Sequence, residues 1–164
     1  MVDVRRVGAG DEAMIAELAA GHADAFGFRD TAARAEEMLA HAAAASESRA
    51  VPMTLIATIN GELAGSCRLC ADDLDGMRPA MTPWLATLFV LPTQRGKGVG
   101  SALANAAAAE IKSSSESETP ALYLWATAEA LAMGMYHKLG WVVVEETNPP
   151  HGDFEVAIIM KRDL

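Results

Sequence analysis

Leu88-Phe89-Val90-Leu91-Pro92-Thr93-Gln94-Arg95-Gly96-Lys97-Gly98-Val99-Gly100-Ser101 joins an apolar run to an alanine-rich one through three glycines in five residues. Upstream, Trp84 to Leu91 shows no polar alternation, as expected of a central strand covered on both faces. Downstream, Ser101 to Lys112 has helical composition. A strand that turns sharply into a helix leaves the first helical N–H groups without partners, and it adds the positive end of the helix dipole at the same point. Glycines there remove the Cβ atoms that would keep an anion off the backbone, while Arg95 and Lys97 bring charge. The segment therefore reads as a phosphate or pyrophosphate site.

Three kinds of phosphate loop compete for it. A Walker loop requires Gly where Leu91 stands, and Ser or Thr where Gly98 follows Lys97, so it fails at both ends. A dinucleotide fingerprint counted from Gly96 needs Gly at Ser101 and an acidic residue at the end of the next strand, where the chain has Trp125-Ala126-Thr127. The third pattern, Arg/Gln-x-x-Gly-x-Gly/Ala, is met by Arg95, Gly98 and Gly100. Together with the later stretch Met135-Tyr136-His137-Lys138-Leu139-Gly140-Trp141, it resembles the GNAT superfamily of N-acetyltransferases, over residues 53 to 162.

The rest of the chain is consistent with one domain, residues 1–164. Val2 to Val7 reads as a strand, and Asp11 to Ala25 and Thr31 to Ala45 as helices broken near Gly27. Met53 to Ile59 and Glu62 to Ala71 are strands joined by Asn60-Gly61, a pair suited to a two-residue hairpin turn. Asp72 to Pro83 is a loop, Ala121 to Ala126 a strand and Glu129 to Leu139 a helix stopped by Gly140. Trp141 to Glu146 and Phe154 to Lys161 are the last strands. This order fits an α/β (α+β) mixed sheet covered by helices. The resemblance implies a mostly antiparallel central sheet of six or seven strands flanked by about four helices.

Composition narrows the partners. A formal charge of −9 with no Lys/Arg cluster argues against nucleic acid and suits a cationic substrate. The absence of a long apolar run or signal-like start argues against a membrane and for a cytoplasmic location. Cys67 and Cys70 fall three apart on a strand, which points the thiols to opposite faces, and no second Cys/His pair completes a metal site, so no metal is expected.

The resemblance implies acetyl-CoA as co-substrate, held by Phe89, Val90, Leu91, Gln94, Arg95, Gly96, Lys97, Gly98, Val99, Gly100 and Ser101. It implies transfer of the acetyl group to a primary amine, by direct attack on the thioester, with Tyr136 protonating the departing sulfur and backbone N–H groups near Phe89 to Leu91 stabilising the oxyanion. Many relatives carry Glu on the strand matching residues 84 to 90, and this chain has no Asp or Glu between Asp75 and Glu110. Proton removal then falls to water relayed to Glu62, Asp72, Asp73, His151 or Asp153, or the amine arrives neutral. His151 is the first choice because an unperturbed imidazole titrates near neutrality. Where relatives often place an Asn that contacts the cofactor, this chain has Glu129.

Phe28, Asp72 and Trp84 are the candidate acceptor contacts, a mix suited to a small amine with an apolar portion. Acetylation of a protein N-terminus or lysine, and a module that binds acyl-CoA without turnover, are the alternatives. Dimers are common among proteins of this kind, so a homodimer is compatible with the resemblance.

Overall fold

The computed structural model describes residues 1–44, 51–115, 120–149 and 156–164. Its elements run β1 (Val2–Arg6), α1 (Glu12–Phe26), α2 (Thr31–Ala43), β2 (Met53–Ile59), β3 (Glu62–Cys70), β4 (Trp84–Val90), α3 (Val99–Ser114), β5 (Ala121–Ala126), α4 (Met133–Lys138), β6 (Val142–Thr147) and β7 (Ala157–Asp163). The seven strands form one sheet in the order β1-β2-β3-β4-β5-β7-β6. Every neighbouring pair is antiparallel except β4 and β5. No helix among the described residues is long and apolar enough to cross a membrane.

Local chemistry sets the boundaries. Asn60 (φ 54°) and Gly61 (φ 84°) both take positive φ and close the β2–β3 hairpin, with Ile59 opposite Glu62. Gly27 (φ 71°) ends α1, and the Asp30 carboxylate caps α2 by accepting from the Ala33 N–H at 2.9 Å.

α3 presents Val99, Leu103, Ala104, Ala107, Ala108 and Ile111 as one buried stripe. That stripe packs on Leu55, Cys67, Leu69, Leu85, Leu122, Leu124 and Met160. Full burial of a side chain such as Leu103 is worth about 1.5–3 kcal/mol. On the opposite face, Ile15, Leu18 and Ala19 of α1 and Met38 of α2 pack on Ile56, Leu63 and Phe89. Farther along that face Leu74 of the β3–β4 loop packs with Trp84, Ala86 and Ile159.

A bulge in β4 controls which side chains reach which face. The β3–β4 register shifts between Ser66 and Arg68, and Thr87 takes a φ of 45°, a conformation that costs a β-branched residue about 1–3 kcal/mol. Before the bulge Leu85 faces α3. After it Leu88 and Val90 do, and Phe89 turns to α1.

Two expectations change. The helix placed over Glu129 to Leu139 is confined to Met133–Lys138, preceded by two tight turns in which Ala130 N–H reaches Thr127 O and Met133 N–H reaches Ala130 O. Leu131, inside the expected helix, is 96 % exposed, so helix propensity there has no core to reward it. The last strand begins at Ala157, and Phe154 lies outside the described residues. The cysteines behave as the strand offset requires: Cys67 packs under α3 and Cys70 with Trp84 on the other face, both as free thiols.

Candidate active site

After Leu91, residues Pro92–Gln94 make one 3-10 turn, Arg95 is extended, and Gly96 (φ 76°) and Gly98 (φ 81°) both adopt the left-handed conformation. Gly98 is the residue from which α3 departs, and no side chain caps that end. The first helical bond runs from Ala102 N–H to Gly98 O at 3.0 Å, so the N–H groups of Val99, Gly100 and Ser101 have no acceptor within the helix. A Cβ built on Gly96 or Gly98 would meet nothing within 4 Å, so the space above these donors is open. Arg95 and Lys97 are exposed beside it, with Lys97 Nζ 2.8 Å from Gln94 Oε1. Donors without helical acceptors, open space at Gly96 and Gly98 and two exposed cations together make a candidate anion cradle.

The cradle opens into a gap between two strands. β4 and β5 pair only at Trp84 and Tyr123, with Tyr123 N–H on Pro83 O at 3.0 Å. Beyond that point they splay. Leu91 N–H donates to Ala64 O on β3, so by strand alternation the Val90 N–H and C=O point the other way, into the gap. The Val90 carbonyl accepts from Arg95 Nε at 3.3 Å, which ties the loop to the gap's edge.

Tyr136 lies in the core on the α3 side of the sheet, with Leu85, Leu103 and Leu124. It is 7 % exposed, and its ring meets Trp141 edge-on at 5.9 Å. A Cβ on Gly100 would lie 3.0 Å from Met135 Sδ and 3.7 Å from Leu88 Cδ2, so the absent side chain is what lets α3, α4 and β4 converge. Burial, helped by nearby Cys67, pushes the Tyr136 phenol up to about 12. The hydroxyl is therefore protonated throughout the physiological range.

On the α1–α2 side the gap is bordered by a chain of buried polar groups. Arg34 donates from Nη2 to Thr87 Oγ1 at 2.9 Å, from Nε to His22 Nδ1 at 3.1 Å, and from Nη1 to Glu37. Glu37 also accepts from Arg68 at 2.7 Å, and Arg68 reaches Asp73 at 3.3 Å. The Trp125 indole N–H donates to the Asp73 carbonyl at 3.1 Å, which brings the chain to β5. Because Arg34 Nε can only donate, His22 Nδ1 must accept, and its proton sits on Nε2, facing Ser66 Oγ at 3.0 Å.

The charges of this chain balance in pairs. Burial, with Arg34 adjacent, drops the His22 imidazole to about 4, so His22 is neutral. Against the pull of burial, Arg68 and Arg34 hold the Glu37 carboxyl below its ordinary value. Burial raises Asp73 to about 6 despite Arg68.

The depressed imidazole has a consequence for stability. His22 titrates at about 4 in the folded chain against an ordinary value of 6.5, so between those values the unfolded chain binds a proton that the folded chain refuses. Its contribution is complete above 6.5 and lost as pH falls toward 4. Asp73 works in the opposite sense, since its folded value of about 6 exceeds its ordinary 3.8. His22→Gln is expected to flatten the fall in melting temperature over this acid window, measured by calorimetry at stepped pH. Equal slopes in the two proteins would refute a buried neutral His22.

The candidate acceptor residues meet different fates. Phe28 is 37 % exposed and lies 5.4 Å from the Arg34 guanidinium, forming with Phe26, Phe89 and His22 an aromatic patch beside the gap. Asp72 spends its carboxylate on its own loop, accepting from Leu74 N–H at 3.0 Å and Gly76 N–H at 2.6 Å. Trp84 is a correction: it is 0 % exposed in the core with Ala86 and Ile159, and offers no surface to an acceptor. His151 and Asp153 lie outside the described residues. Glu62 is exposed on the hairpin and lines, with Glu17, Leu91 and Gln94, a recess of about 420 Å³ whose acidic wall suits no phosphate.

Sequence reading passed over His22, Arg34, Glu37, Ser66 and Arg68. A signal existed: Arg34, Met38 and His41 are spaced i, i+4, i+7, so α2 buries two polar residues on its core stripe. Arg68 likewise is a charged residue within a largely apolar strand.

A mixed sheet that splits beside a glycine-rich turn matches the fold of acetyl-CoA-dependent acetyltransferases. The chain belongs to the acetyltransferase (GNAT) domain family, whose family model matches residues 52–143. No curated protein matches. Its fold is similar to an aminoglycoside 6′-N-acetyltransferase complexed with coenzyme A (TM-score 0.72, 15 % identity, 98 % of this chain and 96 % of that one). It is also similar to a candidate acetyltransferase from Salmonella typhimurium with its cofactor acetyl-CoA (0.71, 19 %, 99 % and 94 %). A third is a GNAT-family acetyltransferase from Streptococcus pneumoniae (0.69, 19 %, 100 % of both chains).

Proposed function

We propose that this acetyltransferase moves an acetyl group from acetyl-CoA to a primary amine on a small molecule, by direct attack of the amine on the thioester. The observation that carries the reading is the β4–β5 splay, with the anion cradle at its mouth and Tyr136 on its α3 side. In this reading the residues from Gln94 to Ser101 hold the pyrophosphate. The Val90 N–H, directed into the gap, stabilises the oxyanion, and the Tyr136 phenol supplies a proton to the sulfur.

The acceptor approaches from the α1–α2 face, where Phe26 and Phe28 offer apolar contact. A small-molecule acceptor is supported by the likeness to an aminoglycoside 6′-N-acetyltransferase, and the overall charge of −9 favours attraction of a cation. Location in the cytoplasm fits this donor.

Thiol release from acetyl-CoA, measured with a panel of small primary amines and with peptides bearing a free N-terminus or lysine, tests the reading. Small amines are expected to drive release. Turnover on the peptides alone would move the acceptor to protein, and CoA binding without turnover on any amine would make the chain a binding module.

A further inference from the structure

The acceptor's nitrogen must lose a proton, and β4 offers Thr87 where a carboxylate would serve. We propose that Asp73, carried over β4 by the β3–β4 loop, is the general base that receives that proton. The inference rests on the acetyl-transfer reading above.

Position comes first. The residue after Asp73, Leu74, is wholly buried against Trp84, Ala86 and Ile159, so the loop is anchored on the sheet at this point. The Asp73 carbonyl is held by Trp125 of β5 at 3.1 Å and its carboxylate by Arg68 of β3 at 3.3 Å. Arg68 pairs with Ala86 of β4, so a residue tied to both Arg68 and Trp125 lies across β4 on the face that bears the polar chain. Tyr136 packs in the core on the other face. A base on the Asp73 side and an acid on the Tyr136 side keep proton removal from nitrogen and proton delivery to sulfur on separate groups.

Availability comes second. Glu37 divides its two oxygens between Arg34 and Arg68. His22 has its lone pair on Arg34, and Asp72 has both oxygens on its own loop. The Asp73 carboxylate meets the Arg68 guanidinium at 3.3 Å and the Trp125 indole, and its side chain is 21 % exposed, so it keeps access to solvent with no second cation upon it among the described residues. The groups around it are Arg68 and Cys70 of β3, Asp72 of the same loop and the Trp125 indole. A carboxyl raised to about 6 is ionised at neutral pH and closer to the proton it must accept than an ordinary aspartate.

The step balances as follows. The amine nitrogen's lone pair forms the N–C bond to the thioester carbonyl, and the nitrogen's proton passes to the Asp73 carboxylate. The carbonyl re-forms as the C–S bond breaks, and the thiolate takes the Tyr136 proton. Solvent then carries the proton from Asp73 back to the phenolate, leaving amide and free thiol.

The test uses the full chain and the amine from the panel that gives the fastest thiol release, at saturation, with kcat followed from pH 5 to 9. Wild type is expected to show an ascending limb near pH 6. Asp73→Asn is expected to lose the limb and roughly 10²-fold in kcat, with CoA affinity unchanged by calorimetry, and Asp73→Glu to restore the limb and part of the rate. A limb retained in Asp73→Asn overturns the assignment, as does loss of rate accompanied by equal loss of CoA affinity and melting temperature. Wild type that binds CoA yet acetylates no amine overturns the acetyl-transfer reading itself.

Discussion

Gly98→Val is expected to abolish measurable CoA binding while leaving the protein folded. Two costs combine. Gly98 sits at φ 81°, where an L side chain loses about 1–2 kcal/mol, and Val suffers most because its branch crowds the backbone. The second cost falls on the ligand. A Cβ at Gly98 meets no protein atom within 4 Å, so folding tolerates the added volume, but that open space lies above the unpaired N–H groups that start α3.

A phosphate displaced from those donors loses several charge-assisted hydrogen bonds, each worth about 1.5–3 kcal/mol. Two such losses exceed 10²-fold in affinity, since each 1.4 kcal/mol is a factor of ten. Calorimetric titration with CoA, beside a thermal melt, separates the terms: melting falls by a few degrees and binding disappears. Gly98→Ala adds the strain with little bulk and is expected to fall between. Unchanged CoA affinity in Gly98→Val would remove the cradle as the pyrophosphate site.

How much of this was legible in the sequence follows the range of the interactions involved. The Asn60-Gly61 turn and the Gly96 and Gly98 bends were readable because positive φ is a property of single residues. The β4 strand was readable from its apolar run, in which Thr87 is the one polar residue. The bulge at Thr87 was not, because nothing in Ala86-Thr87-Leu88 demands it, and it arises from pairing with β3. Trp84 illustrates the same limit, since an aromatic residue at a loop's end becomes core or surface according to what Leu74 and Ile159 place over it. The polar chain from Thr87 to Trp125 draws on α1, α2, β3, β4, β5 and one loop, so only tertiary structure assembles it. Its traces in sequence, Arg34 on a buried helical stripe and Arg68 in a largely apolar strand, show that buried charge is the sign to look for.

Tyr136→Phe is expected to lower kcat by roughly 10²- to 10⁴-fold with nearly unchanged CoA affinity, the range for loss of a general acid. The substitution keeps the ring that packs on Trp141 and in the α3-side core, so the fold should hold. The phenol's value of about 12 raises a difficulty that magnitudes resolve. Against a thiol in water, near 8.5, transfer of its proton would be uphill by more than three units, or about 5 kcal/mol. A thiolate released in this site does not meet water. Cys67, buried beside Tyr136, shows what that dry surrounding does to sulfur: burial alone pushes its thiol far above the ordinary value.

A leaving thiolate on the same face of the sheet is made more basic by the same desolvation, which narrows the gap and makes the hydroxyl most valuable when charge develops on sulfur. An interaction made chiefly in the transition state lowers kcat and kcat/KM together. The loss in Tyr136→Phe should therefore be uniform from pH 6 to 9, where the phenol stays protonated, and should leave the ascending limb in place. Full activity in Tyr136→Phe would remove the phenol as the acid, and a raised KM for acetyl-CoA at unchanged kcat would make it a binding residue instead.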